Sequence, residues 1–179
     1  KTYVAHASHQ DCISCHQQDL PLAAISLARK QNVAVDTEAE KQLVDMMRHG
    51  ELPIIENDWQ VLFHPDPAYS KGYLLFSFGV ADVPASEYTD AWVHHLAVIQ
   101  EADGHWPNNL PRPPIQTGDV GATALSIHAL QKYPLPGRKA EFADRVDRAR
   151  KWLRTVKTDN TDAAAYQILG LAWAGESNR

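Results

Sequence analysis

Cysteine and methionine are scarce in this 179-residue chain, two of each. A single cysteine pair supports no multi-bridge disulfide framework, so stability has to come from a core, and a 44% hydrophobic content is enough to build one. No apolar run reaches about 18 residues, which excludes a membrane-spanning helix read from sequence. There is no basic stripe and the formal net charge is −5, which argues against a nucleic-acid partner. Sustained alternation of apolar and polar residues is missing, and there is no Asn-Gly hairpin turn, so strand signals are scarce and an all-α fold is expected. The chain starts at Lys1 with neither a methionine nor a signal peptide. It is expected to be a mature or trimmed form, and export can be inferred only from cysteine chemistry.

What the chain has in quantity is apolar spacing of three and four residues. In "DLPLAAISLARKQ", Asp19 is expected to cap a helix with Pro21 in its first turn. "TEAEKQLVDMMRHG" opens on a capping box, Thr37-x-x-Glu40, and is expected to stop at Gly50. Residues 52–68 read as a long loop with Trp59 and Phe63 as apolar plugs, followed by a short buried helix in "SKGYLLFSFGVADV". "SEYTDAWVHHLAVIQ" places Tyr88, Trp92, His95, Leu96 and Ile99 near one face. After a second loop, "DVGATALSIHALQKY" is expected to be capped by Asp119. A stripe of Phe142, Val146, Ala149, Leu153 and Val156 predicts the next helix, and Asn160 or Thr161 caps the last. The expected fold is all-α, built from helix pairs as one domain. Residues 1–18 form an irregular N-terminal attachment segment and residues 19–179 the helical domain.

Both cysteines lie in "HQDCISCHQQ", as Cys12-x-x-Cys15-His16. Two thiols three apart with an imidazole directly after them meet the demands of haem c attachment: two thioether links and an iron ligand from one turn. In that reading one covalent haem c is bound, His16 is the proximal ligand through Nε2, and its other ring nitrogen donates to a carbonyl. Three other readings stand beside it. Zinc would need further ligands, for which His6 and His9 are at hand. A Cys12–Cys15 disulfide of the redox type expects a βαβ setting, and two buried structural cysteines need no partner. For the far side of the iron, a histidine or methionine is usual in electron carriers. The candidates are Met46, Met47, His49, His64, His94 and His95. The two methionines are adjacent, so they face different directions on a helix and at most one coordinates. For His94, His95 and His128 a satisfied core or boundary histidine is the competing reading.

"QEADGHW" (residues 100–106) has the Gln-x-x-Asp-Gly-x-Trp form of the repeats in squalene–hopene cyclases and related prenyltransferase-like α/α-toroid proteins. Residues 112–133 and 166–175 resemble a bacterial branch of that superfamily, the cyclase-like repeat proteins, and "CISCHQQDLPLAAISLAR" resembles an N-terminal segment of the same branch. The resemblance implies an α/α-toroid-like scaffold, about half a ring at this length. The Gln and Trp would tie a loop to neighbouring helix ends. The cyclases protonate substrate with an Asp-x-Asp-Asp cluster that this chain lacks, and at 8% aromatic residues it offers little to line a carbocation cavity. No catalytic residue carries over.

The expected function is therefore electron transfer by a c-type haem protein rather than an enzyme. Its location is periplasmic or otherwise extracytoplasmic. Its partners are redox proteins, with a multi-subunit complex as one setting, and neither nucleic acid nor a transmembrane segment of its own. The alternatives are a terpenoid-cyclase or prenyl-binding enzyme and a zinc-binding interaction module.

Overall fold

The structure is a computed structural model that describes residues 15–51, 55–62, 64–116 and 118–176. These are all-helical, without strands. A π-helical turn, Cys15–Asp19, runs directly into α1 (Leu20–Lys30). Then follow α2 (Thr37–Glu51), α3 (Ile55–Trp59), α4 (Pro67–Val80), α5 (Glu87–Val98), α6 (Asp119–Lys132), α7 (Lys139–Thr155) and α8 (Thr161–Trp173). None of the described helices is long and apolar enough to cross a membrane.

Two kinds of helix alternate, and the alternation builds the packing. α4 and α6 are apolar nearly all round, the pattern of a helix buried on every side: Tyr69, Tyr73, Leu75 and Phe78 on α4 and Ala122, Leu125 and Ile127 on α6 are buried. α2 and α7 carry one apolar stripe and a charged face. On α7 that stripe is Phe142, Val146, Ala149 and Leu153, with Val156 half-buried just beyond the helix, as its spacing predicts. In consequence α1, α4, α6 and α8 pack side by side in one row, while α2, α5 and α7 lie against them. Close approach within the row needs small residues. A Cβ on Gly121 would collide with the Tyr69 hydroxyl, and one on Gly170 would come within 2.6 Å of Leu153 Cδ1 and 3.0 Å of Ala124 Cβ. Across the row, the Tyr73 and Tyr166 hydroxyls meet at 2.6 Å, and Tyr73 donates to the Ile115 carbonyl. At the row's end α8 leaves Ile168 62% exposed.

Helix ends differ from the expected ones in instructive ways. α2 is capped by Asp36, whose carboxylate accepts from the Glu38 and Ala39 amides. Glu40 is thereby released from the expected capping box to bond Ser26 and Arg29 of α1, and α2 runs past Gly50 to Glu51. Asp19 does not cap α1 because the π turn feeds the helix without a break. Asp119 is the first residue of α6, and its carboxylate accepts from the Asn108 amide in the preceding loop instead of from its own helix. Asn160 caps α8, accepting from the Ala163 amide. α1, α3, α4 and α8 all end with a left-handed residue and a return bond five residues long. Those residues are Asn32, Val61, Asp82 and Gly175, and the return bonds run from Val33 to Ala28, Leu62 to Asn57, Val83 to Phe78 and Glu176 to Leu171. Only one of the four is a glycine.

Candidate functional site

The structure places the sequence-predicted ligands in three separate surroundings. Cys12 lies outside the described residues, as do the side chains of Cys15, His16 and His49. The turn that carries Cys15 and His16 packs on α1 and α4. Two residues on, buried Gln18 reaches α2, with Nε2 4.0 Å from the Met46 sulfur. The two methionines face different ways: Met47 is fully buried in the core, and Met46 is half-buried beside the turn. His94, His95 and His64 cluster elsewhere, around α3 and the start of α4. His94 lies tilted against Trp59, ring centroids 5.2 Å apart, and bonds Arg138. Trp59 itself is 40% exposed, so it is no plug, and the loop expected over residues 52–68 contains α3 and the first two residues of α4. Phe63 lies outside the described residues.

The 100–106 segment has a defined mechanical role. Gln100 Nε2 donates to the carbonyls of Gly104 (2.8 Å) and Arg145 on α7 (2.9 Å). Buried Trp106 donates from Nε1 to the Leu96 carbonyl of α5 at 2.7 Å, and its amide bonds Thr123 of α6. Gly104 is required there: its φ is +105°, and a Cβ would lie 2.6 Å from the Arg148 backbone. The loop is thus tied to three helices by hydrogen bonds, as expected from the Gln and the Trp.

The densest polar chemistry in the described residues is a buried cluster that the sequence does not advertise. Lys71 of α4, 1% exposed in its side chain, places Nζ 2.7 Å from Asp58 Oδ1 of α3. The same oxygen accepts from His95 Nδ1 of α5 at 2.8 Å. Burial alone would push the Asp58 carboxyl up. The His95 hydrogen bond and the Lys71 charge outweigh it and hold the group below its ordinary value. His64 stands edge-on to His95, ring centroids 6.5 Å apart. Burial, reinforced by the Lys71 charge, pushes its pKa down to about 4, so the ring is neutral near pH 7. Its Nδ1 lies 3.1 Å from the Pro65 carbonyl and 3.2 Å from Ser70 Oγ. A carbonyl only accepts, so Nδ1 carries the proton and Nε2 is left as an acceptor.

No family model matches the chain, and no curated protein or solved structure is significantly similar to it.

His64 and His95 line a cavity of about 290 Å³ together with Asp66. Asp66 is the residue before α4, left-handed at φ 47°, and 3% exposed. It forms no side-chain cap bond to its helix, and neither carboxylate oxygen has a hydrogen-bond partner of ordinary geometry among the described residues. Burial raises its pKa to about 6 against the pull of Arg112 and the Asn109 amide. Among the described residues, no three His, Cys, Asp or Glu side chains converge as a metal-ion set. His64, His94 and His95 stand out in sequence as candidate iron ligands by residue type; Asp58, Lys71 and Asp66 carry no signal, since an isolated acid or lysine in sequence reads as surface.

Proposed function

We propose that the chain is a c-type haem protein that transfers electrons, on a non-catalytic helical scaffold of cyclase-like ancestry. The observation that carries the reading is Cys12-x-x-Cys15-His16, which consumes both cysteines of the chain and sets an imidazole beside them. Support from the described residues is local. The backbone from Cys15 onward is a helical turn continuous with α1, and a soft sulfur donor, Met46, flanks that turn. In this reading Cys12 and Cys15 hold the ring through thioethers, His16 is the proximal ligand, and Met46 is the far-side candidate whose contact with the turn is described. The haem would supply a one-electron iron couple, whose potential the axial ligands and the dryness of the pocket set. Thioether attachment belongs with an extracytoplasmic setting, and the acidic net charge of −5 steers the protein to basic surfaces of redox partners.

Intact-mass spectrometry of the protein made with a haem-attachment system tests this. The expected result is the polypeptide mass plus one iron porphyrin, and attachment lost in Cys15→Ala. A chain weighing only what its amino acids weigh overturns the reading.

A further inference from the structure

The cavity before α4 is distinct from the attachment motif, and its buried polar lining is mostly of acceptors. Asp66 supplies two buried oxygens without a partner among the described residues. His64 has its Nδ1 proton committed to Pro65 and Ser70, and His95 has its own committed to Asp58. In the neutral His64 ring Nε2 is therefore an acceptor. The remaining lining is largely apolar, with Val61, Leu62, Ile99 and Leu110 as walls, and exposed Asn109 is its one side chain with amide donors. Acceptors gathered in an apolar recess call for a donor-rich guest, and a buried carboxylate without a partner calls for a positive charge.

We propose that this cavity binds a small primary ammonium compound, its cationic head on Asp66 and its apolar body against Leu62, Ile99 and Leu110. An ammonium group has three N–H donors and no acceptor, which matches two carboxylate oxygens and an imidazole nitrogen. A volume of about 290 Å³ admits a short alkyl chain or one ring. A bare metal ion is the poorer fit, because no three ligating side chains converge among the described residues. The neutral state of His64 suits the role, since a charged imidazole beside the head would repel it. The other charges nearby are the Lys71–Asp58 pair behind His95, and Arg112 and Asp119 on the Asp66 side. The first two offset each other, as do the second two.

The test is titration of the full chain with n-butylammonium chloride, followed by calorimetry and by the ring proton signals of His64 and His95. Saturable binding that shifts both signals is expected. Asp66→Asn should weaken it at least about tenfold, through loss of a charge-assisted hydrogen bond. Uncharged 1-butanol should bind far more weakly than the amine. Equal binding of alcohol and amine, or full affinity in Asp66→Asn, overturns the proposal, as does the absence of saturable binding. Should Asp66→Asn fail to fold, His64→Phe keeps the test, with affinity expected to fall several-fold because one acceptor is lost; unchanged affinity there also overturns it. Neither outcome depends on haem attachment.

Discussion

Substituting Asp58→Asn tests whether the buried cluster joins α3 to the rest of the fold. The amide is nearly isosteric and its oxygen still accepts from His95, so the change isolates the charge facing Lys71. At 2.7 Å and an effective dielectric near 20, the attraction removed is about 6 kcal/mol gross. Part of it was offsetting the desolvation of two buried ions, and breaking such a pair from one side typically costs about 3–5 kcal/mol. For a domain of this size that corresponds to a melting temperature lower by roughly 6–20 °C. Urea denaturation and calorimetry measure it, and the double variant Asp58→Asn with Lys71→Met, which removes the stranded charge, should recover much of the loss. The pH dependence has a definite sign. Asp58 is held below its ordinary value when folded. Its stabilisation is therefore complete above about pH 4 and is lost as the pH falls through the depressed folded value. The gap between wild type and Asp58→Asn should narrow in acid. A single variant within about 1 kcal/mol of wild type at pH 7, or a double variant no better than the single, would refute the reasoning.

The His64 ring, with its pKa near 4, should remain neutral at pH 5.5 by NMR titration, where an ordinary histidine is largely charged. Between about pH 6.5 and 4 the unfolded chain binds the proton that folded His64 refuses. Acidification therefore removes about 3 kcal/mol through this group, while Asp66, raised to about 6, contributes with the opposite sign over about pH 4–6. Val61 closes α3 at φ 52° with a β-branched side chain, a strained choice where glycine is usual. Val61→Gly should thus raise stability by about 1 kcal/mol in urea titrations; destabilisation would show that the apolar contacts of Val61 outweigh the strain.

Legibility of the fold followed the length of each signal. The α7 stripe extends over four turns, and the structure buries four of its five residues, with Val156 half-buried just beyond the helix. The Asn160 cap is a local bond between residues three apart, readable for the same reason. α3 was invisible because five residues carry less than two turns of periodicity, and its stop signal, a valine in place of glycine, is one a composition rule discards. The Thr37–Glu40 box failed through competition: Arg29 and Ser26 on another helix offered the Glu40 carboxylate more than its own backbone did. At the site, the histidines stood out only through their chemistry as possible iron ligands. Nothing local could show that Asp58, Lys71 and His95 converge, because each comes from a different helix and only the packing of α3 and α4 against α5 brings them together.

That convergence links stability to the cavity. A five-residue helix is far too short to persist alone, so α3 exists because tertiary contacts hold it, and Asp58 is its buried polar anchor. The chain that leaves α3 passes through left-handed Val61 and then left-handed Asp66 before entering α4. Both bends line the cavity. The segment is therefore stretched between two fixed points, the Asp58–Lys71–His95 knot at one end and the buried first turn of α4 at the other. Lys71 belongs to α4 itself, so the knot fixes the two ends relative to each other. The same arrangement commits the Nδ1 proton of His95 to Asp58 and fixes the orientation of its ring at the cavity. A buried carboxylate at Asp66, offset only by the pull of Arg112 and the Asn109 amide, is tolerable only in a scaffold held this firmly, because a looser loop would turn the side chain out to water.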